Sequence, residues 1–436
     1  MRAMIFRTLV TNSAVNALGL INAVLLSRWM GPVGRGEIAA AFLWPGLLIY
    51  LSSMGLIFST MYFTSQPGST PDVILGNSML LGLLLGGLAM VLGFVGMPWL
   101  LHSQSRIVIS ASRWYLIVIP LSLLSQFGIG VLQGRRQLKA LNWLMTIIPV
   151  GYLGGTVLLV AINKLRLMNI VALHLGLNLG VLICTLFALA RAGVRPLVRT
   201  DAALAKRMLG YGLKVHVGQV SGHINLNLDQ MLIAAWLPPV SLGYYVVAVS
   251  AAGLSQILAG AVRTVAMPNI ASRASSHARR ELLGTIFRRY WLISVALMIA
   301  MSATIPILIP LIYGAGFRAS VLPAEILIVA AMFTGAKSVL GEGAVALGDP
   351  WLISKANIIA VPVTLVLLAV LLPVWGLLGA ATASATAYLV ELATVIYLLR
   401  RRHSIAPSSL FTLDVSNMGE MLRLGARTSL GESASK

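Results

Sequence analysis

Twelve apolar runs divide the chain, each close to the length that crosses a lipid bilayer: roughly 8–27, 38–64, 74–100, 114–134, 141–162, 170–190, 211–236, 243–267, 290–312, 326–347, 352–373 and 377–399. In hydrocarbon every backbone donor and acceptor must find its partner inside the protein, which leaves helices or a closed barrel. The polar–apolar alternation of Lys214–Gln230 would suit a barrel strand, but the eleven other runs are continuous and demand helices. Charge agrees. Only 10% of residues are charged and 58% are hydrophobic, against about a quarter charged in a soluble protein. The expected class is an all-α polytopic membrane protein with 12 transmembrane helices.

A net charge of +20 raises nucleic acid as a partner, but the basic residues sit between apolar runs and leave no soluble face to display them. Their distribution instead sets orientation. With both termini cytoplasmic, 22 Lys and Arg fall on the inner side, seven on the outer side, and Lys214, Arg263 and Lys337 within runs. That asymmetry follows the positive-inside rule and supports an even number of spans, as in an inner-membrane protein. The first run is too long for the apolar region of a signal peptide, so it is expected to stay as the first span. Cys184 is the only cysteine, so neither a disulfide framework nor a thiolate metal site is expected.

The longest polar link, 191–208, divides the chain into an N-terminal six-helix lobe (1–190) and a C-terminal six-helix lobe (209–400). A Ser-, Gly- and Arg-rich tail (401–436) reads as disordered and cytoplasmic. The lobes repeat each other. "WMGPVGRG" (Trp29–Gly36) and "WLPPVSLG" (Trp236–Gly243) both fit W-x-x-P-V-x-x-G, 207 residues apart, after the first run of each half. "LQGRRQLKALN" (Leu132–Asn142) likewise parallels "ALGDPWLISKAN" (Ala346–Asn357) between the fourth and fifth runs. Equal turns at equal places predict two parallel repeats related by an axis along the membrane normal, with substrate between them.

"LLSRWMGPVGRGEIAAA" (Leu25–Ala41), "LIYGAGFRAS" (Leu311–Ser320) and "GLLGAATAS" (Gly376–Ser384) resemble, in order, signatures of bacterial oligosaccharide flippases and polysaccharide exporters. These belong to the multidrug/oligosaccharidyl-lipid/polysaccharide (MOP) superfamily. The resemblance implies a V-shaped central cavity between two lobes. It also implies movement of a polyprenyl-diphosphate-linked glycan to the periplasmic leaflet for O-antigen, capsule or exopolysaccharide synthesis, with a polysaccharide polymerase or ligase as partner. A cation-coupled multidrug exporter of the same fold is the alternative. That branch carries an acid in its first span, and Thr8–Ser27 has none. No H-E-x-x-H, P-loop or D-x-D cluster is present, and no enzyme activity, cofactor or metal is expected.

Polar residues inside the spans are the candidates for function. The 207-residue offset sets Asn12 against Gln219 and Asn16 against His223, and these faces are expected to wall the cavity for sugar recognition, with Trp29, Trp44 and Tyr50 as aromatic surfaces. On the same helix, Val217, Val220, Ile224, Leu228 and Met231 form the expected lipid stripe. Charges at span depth cost about 2.5–3.5 kcal/mol on insertion scales and point to function. Lys337 and Arg263, with Arg28 and Arg113 near the outer ends, are the expected diphosphate ligands. Lys337→Ala is then expected to abolish export in a folded protein. His223, Asp229, Glu342 and Glu391 are candidates for coupling to a proton or sodium ion.

Overall fold

The apolar runs are helical in the computed structural model, three of them (38–64, 114–134 and 243–267) across a break between two helices; it describes residues 2–195 and 199–411, with side chains except at 2–10, 12–13 and 217–219. The helices are α1 (Arg2–Ser52), α2 (Leu56–Ser65), α3 (Pro71–Leu100), α4 (Arg106–Tyr115), α5 (Val118–Gly134), α6 (Leu138–Ala161), α7 (Leu167–Arg191), α8 (Ala202–Trp236), α9 (Pro239–Gly253), α10 (Gln256–Ala271), α11 (Ser276–Tyr313), α12 (Val321–Ala346), α13 (Trp351–His403) and α14 (Pro407–Phe411). A 3₁₀ turn at Ala315–Ser320 precedes α12. Two of the long helices are broken internally: α1 at Gly31 (φ 65°, ψ −174°) and α13 at Gly376 (φ 54°, ψ −129°). Both glycines adopt a conformation that a side chain would strain.

Among the described residues seven stretches are long and apolar enough to cross a bilayer, or nine if each of two bent pairs is one span. The two bent pairs are the second run of each half: α1 meets α2 at 43°, and α9 meets α10 at 42°. The chain is a multi-pass membrane protein, and its helices are built inside-out relative to a soluble bundle. In α3, Gly82, Gly86, Ala89 and Gly93 are buried while Leu84, Leu88, Val91 and Leu92 are exposed. Small residues let the backbones approach, with Gly82 against Phe127 and Gly86 against Leu123, and the large side chains are left for lipid.

The repeated turns meet each other. A methyl group on Gly36 would fall on the Pro239 carbonyl and 2.9 Å from the Gly243 nitrogen. One on Gly243 would fall on the Pro32 carbonyl and 3.1 Å from the Gly36 nitrogen. Each turn therefore packs on the other by the same atoms, which fixes Trp29 and Trp236 at one end of the molecule. Gln104, from the α3–α4 loop, closes on this end by donating to the Ala234 and Leu237 carbonyls at 2.7 and 3.0 Å.

At the opposite end α8 leans on the first half. The Ser59 hydroxyl donates to the Met208 carbonyl at 2.8 Å, and a methyl on Gly212 would lie 2.6 Å from the Met54 carbonyl. The link between the halves is shorter than 191–208, because α7 runs to Arg191 and α8 starts after an Asp201 N-cap. The Asn77 side-chain amide pairs with the Asp201 backbone in both directions at 3.0 Å and pins this link to α3. The tail keeps helix through His403 and adds α14, whose Ser409 carbonyl accepts from Arg288 at 2.5 Å; residues 412–436 lie outside the described residues.

The expected lipid stripe of the seventh run is not on the lipid side. Leu228 and Met231 are buried, and Ile224 is half-buried against the core. The reason is position: α8 packs against α1, α2, α3, α9 and α13, so the side that carries Leu228 and Met231 meets other helices rather than lipid.

Candidate functional site

Two cavities open along α8 and share His223. One, of about 520 Å³, is walled by Tyr50, Gly222, Arg263, Lys337, Glu342 and Asn357 with their neighbours. The other, of about 480 Å³, is walled by Asn22, Arg35, Tyr152, Asn227, Gln230 and flanking apolar residues of α1. The His223 ring stacks on Tyr50 at 4.3 Å between centroids, so α1 and α8 meet at the cavity through two aromatic faces. Asn227 spends its amide on the His223 carbonyl at 2.9 Å.

The opposite face of α8 holds a buried polar network. Asn225 and Asp229, one turn apart, meet Ser384, Tyr388 and Glu391, which share one face of α13 at helical spacing. The Lys337 ammonium donates to Glu391 at 2.6 Å and to the Asn357 side-chain oxygen at 3.2 Å. Asn225 donates to the other Glu391 oxygen at 2.8 Å and accepts from Thr364 at 2.6 Å. Asp229 accepts from Tyr245 at 2.6 Å, Ser384 at 2.8 Å and the Gln230 amide at 2.7 Å. Glu391 is 0% exposed and Lys337 9%, so the ion pair is shielded and its lone pairs are filled. Lys337 lines the cavity with its charge already matched. Arg263 is matched too, by Glu342 at 3.3 Å.

The outer arginines are occupied by backbone. Arg28 donates through Nε to the Ile312 carbonyl at 2.7 Å and through an Nη to the Leu311 carbonyl. These carbonyls end α11, whose last turn has no helical donors left for them, so Arg28 caps one half from the other. Arg113 donates to the Phe94 carbonyl at 3.0 Å. Pro98, four residues on, has no N–H for that carbonyl. Asn16 is exposed outside both cavities, and the side chains of Asn12 and Gln219 lie outside the described residues.

The sequence reading missed Arg35, Asn22 and Tyr152. It drew the repeated turn from Trp29 to Gly36 and so left Arg35 in an outer loop. The helix breaks at Gly31 alone and resumes at Pro32, which carries Arg35 round into the cavity. Its Nε atom and the Asn22 side-chain oxygen are buried without a hydrogen-bond partner, and Arg35 makes no ion pair among the described residues. Tyr152 stands beside both. The lone signal in the sequence is Pro32, a helix-starting residue that puts Arg35 inside the first turn rather than outside it.

The family model for polysaccharide biosynthesis proteins matches residues 2–274. The chain belongs to that family. A curated relative of this polysaccharide biosynthesis protein is the probable low-salt glycan biosynthesis flippase Agl15 of Haloferax volcanii, 21% identical over 281 residues. The match covers 63% of this chain and spans 58% of the length of that relative. Among solved structures, the lipid II flippase MurJ in its inward closed conformation superposes with a TM-score of 0.73 at 15% identity, over 91% of this chain and 87% of that one. An inward-facing multidrug-resistance MATE transporter of the MOP superfamily also gives 0.73, at 14% identity, over 89% and 94%. The family resemblance seen in the sequence is thereby confirmed, and the fold is that of MurJ and the MATE transporters.

Proposed function

We propose that this protein is a flippase that carries a polyprenyl-diphosphate-linked oligosaccharide from the cytoplasmic to the periplasmic leaflet of the inner membrane. The cavity is exposed alternately to the two sides by two six-helix lobes, 1–190 and 209–400, twelve spans in all with both termini inside. The observation that carries this reading is Arg35. A guanidinium in an interlobe cavity, with no acid on it, has a phosphate-shaped demand: planar, bidentate and anionic. Asn22, Tyr152, His223 and Gln230 in the same cavity, with Tyr50 stacked on His223 from the neighbouring one, supply the donors, acceptors and ring faces a sugar needs. Lys337 and Arg263 line the neighbouring cavity with their charges matched by Glu391 and Glu342, which leaves Arg35 as the cation for the diphosphate.

Arg35→Ala is expected to lower affinity for a polyprenyl diphosphate about 10- to 100-fold, the loss of one or two charge-assisted hydrogen bonds. Insertion and thermal stability should stay near wild type, because that guanidinium makes no ion pair among the described residues and its Nε no hydrogen bond. Arg35→Lys should recover only part, since a point charge replaces a fork. Binding and flipping assays in reconstituted vesicles read this out directly, and unchanged activity in the Ala variant would remove Arg35 from the site.

Cation-coupled multidrug export is the second reading, and Asp229 favours it: a carboxylate deep in a span, held by hydroxyls, without an ion pair among the described residues. His223 and Asp229 then remain the candidates for a proton or sodium ion, with Glu342 and Glu391 already engaged by cations. A deletion strain that accumulates lipid-linked glycan and keeps its drug resistance supports the flippase; the reverse pattern supports the exporter.

A further inference from the structure

A third cavity, of about 520 Å³, shares no residue with the two along α8. It is a groove between Val91, Phe94 and Val95 of α3 and Ser110, Arg113 and Trp114 of α4, near the end that carries the repeated turns. It opens outward, with Phe94 53% and Trp114 58% exposed, so what fills it is membrane lipid.

The groove is apolar except for the Ser110 hydroxyl and one cation, Arg113, and that cation is fixed in place. Pro98 leaves the Phe94 carbonyl without its helical donor, Arg113 Nε takes it at 3.0 Å, and the guanidinium carbon rests 4.5 Å from the Phe94 ring centroid. One edge of the guanidinium is thus used, and its terminal nitrogens have no carboxylate among the described residues. Arg28 makes the contrast: its guanidinium is spent on two carbonyls through two nitrogens. A cation held rigidly at the mouth of a hydrocarbon-lined groove is complementary to an anion that carries an acyl chain.

We propose that this groove is a binding site for a resident phospholipid, with the phosphodiester on Arg113 and one acyl chain along Val91 and Val95. The headgroup follows from what is missing. No carboxylate lines the groove to receive an ammonium, while the Ser110 hydroxyl can meet another hydroxyl, which selects phosphatidylglycerol over zwitterionic lipids. The lipid is distinct from the transported one, because the groove lies outside the interlobe cavities.

Native mass spectrometry of the full chain, delipidated and then supplied with phosphatidylglycerol or phosphatidylcholine, tests the site. One phosphatidylglycerol should be retained per protein at collision energies that strip other lipid, with at least tenfold less phosphatidylcholine. Arg113→Gln should lower retention at least tenfold. Val95→Trp fills the groove and leaves the Arg113–Phe94 contact in place, and it should do the same even if Arg113→Gln folds poorly. Equal retention by wild type and Val95→Trp overturns the site, and equal retention of the two lipids overturns the headgroup assignment. Retention of an added polyprenyl diphosphate in preference to phosphatidylglycerol overturns the resident-lipid role and gives the groove to the substrate.

Discussion

Lys337→Ala is expected to destabilise the protein by about 3–5 kcal/mol, the cost of leaving a buried carboxylate without its cation. Glu391 has zero exposure, and the Lys337 ammonium at 2.6 Å is the single ion-pair partner it has among the described residues. Asn225 alone remains as a donor to it, and one amide does not replace a charge. The double substitution Lys337→Met, Glu391→Gln removes both charges at similar volume and should recover most of the loss, because a neutral pair in an apolar site can match a buried ion pair. Melting of the purified protein, followed by light scattering or tryptophan fluorescence, distinguishes the outcomes. A single variant as stable as wild type would show that Glu391 finds another partner. This differs from the sequence-based expectation of a folded but inactive Lys337→Ala protein, because sequence cannot show that the lysine is already paired 54 residues away.

Gly36→Ala and Gly243→Ala are each expected to part the lobes at the end bearing the repeated turns. A β-carbon at either site lands on a proline carbonyl of the other lobe, and backbone on both sides cannot yield as a flexible side chain would. The helices themselves should survive, since alanine favours helix over glycine by roughly 1 kcal/mol. The measurement is accessibility in a Cys184→Ser background with a single cysteine at Gln230, which lines the interlobe cavity. Modification by a membrane-impermeant maleimide from the turn-bearing side should accelerate at least tenfold in both variants. Gly212→Ala disturbs the contact at the opposite end and serves as the control: it should raise modification from that side only. Labelling indifferent to all three changes would mean that these glycines do not hold the lobes together.

The helical membrane class was legible because hydrocarbon imposes length and composition directly on the chain. The two like turns were legible because Pro and Gly punctuate backbone geometry and so survive as letters, and the structure brings the two into contact. The site was legible only in part. His223, Arg263, Lys337 and Glu342 do line a cavity. Periodicity could not say what the far face meets, so Asn225 and Asp229 were two polar residues until α13 brought Glu391 and Ser384 to them. Arg28 and Arg113 look like substrate ligands by type and depth. Their partners are carbonyls freed by a helix end and by Pro98, which depend on how neighbouring helices sit. Arg35 was hidden by a single helix boundary.

The contact between the two turns is isologous in all but covalent fact: position 36 of one lobe meets 239 and 243 of the other, and 243 meets 32 and 36. A homodimer gets such a contact from symmetry, and any substitution strikes both copies at once. Here the halves differ, the Lys337–Glu391 pair belonging to one of them, but at this one place each copy of the turn is the mould for the other. A change at Gly36 must be answered across the seam at Pro239, not within its own lobe. The two copies of W-x-x-P-V-x-x-G are therefore held to each other by mutual fit, so that the backbone of one is the constraint under which the other must be written.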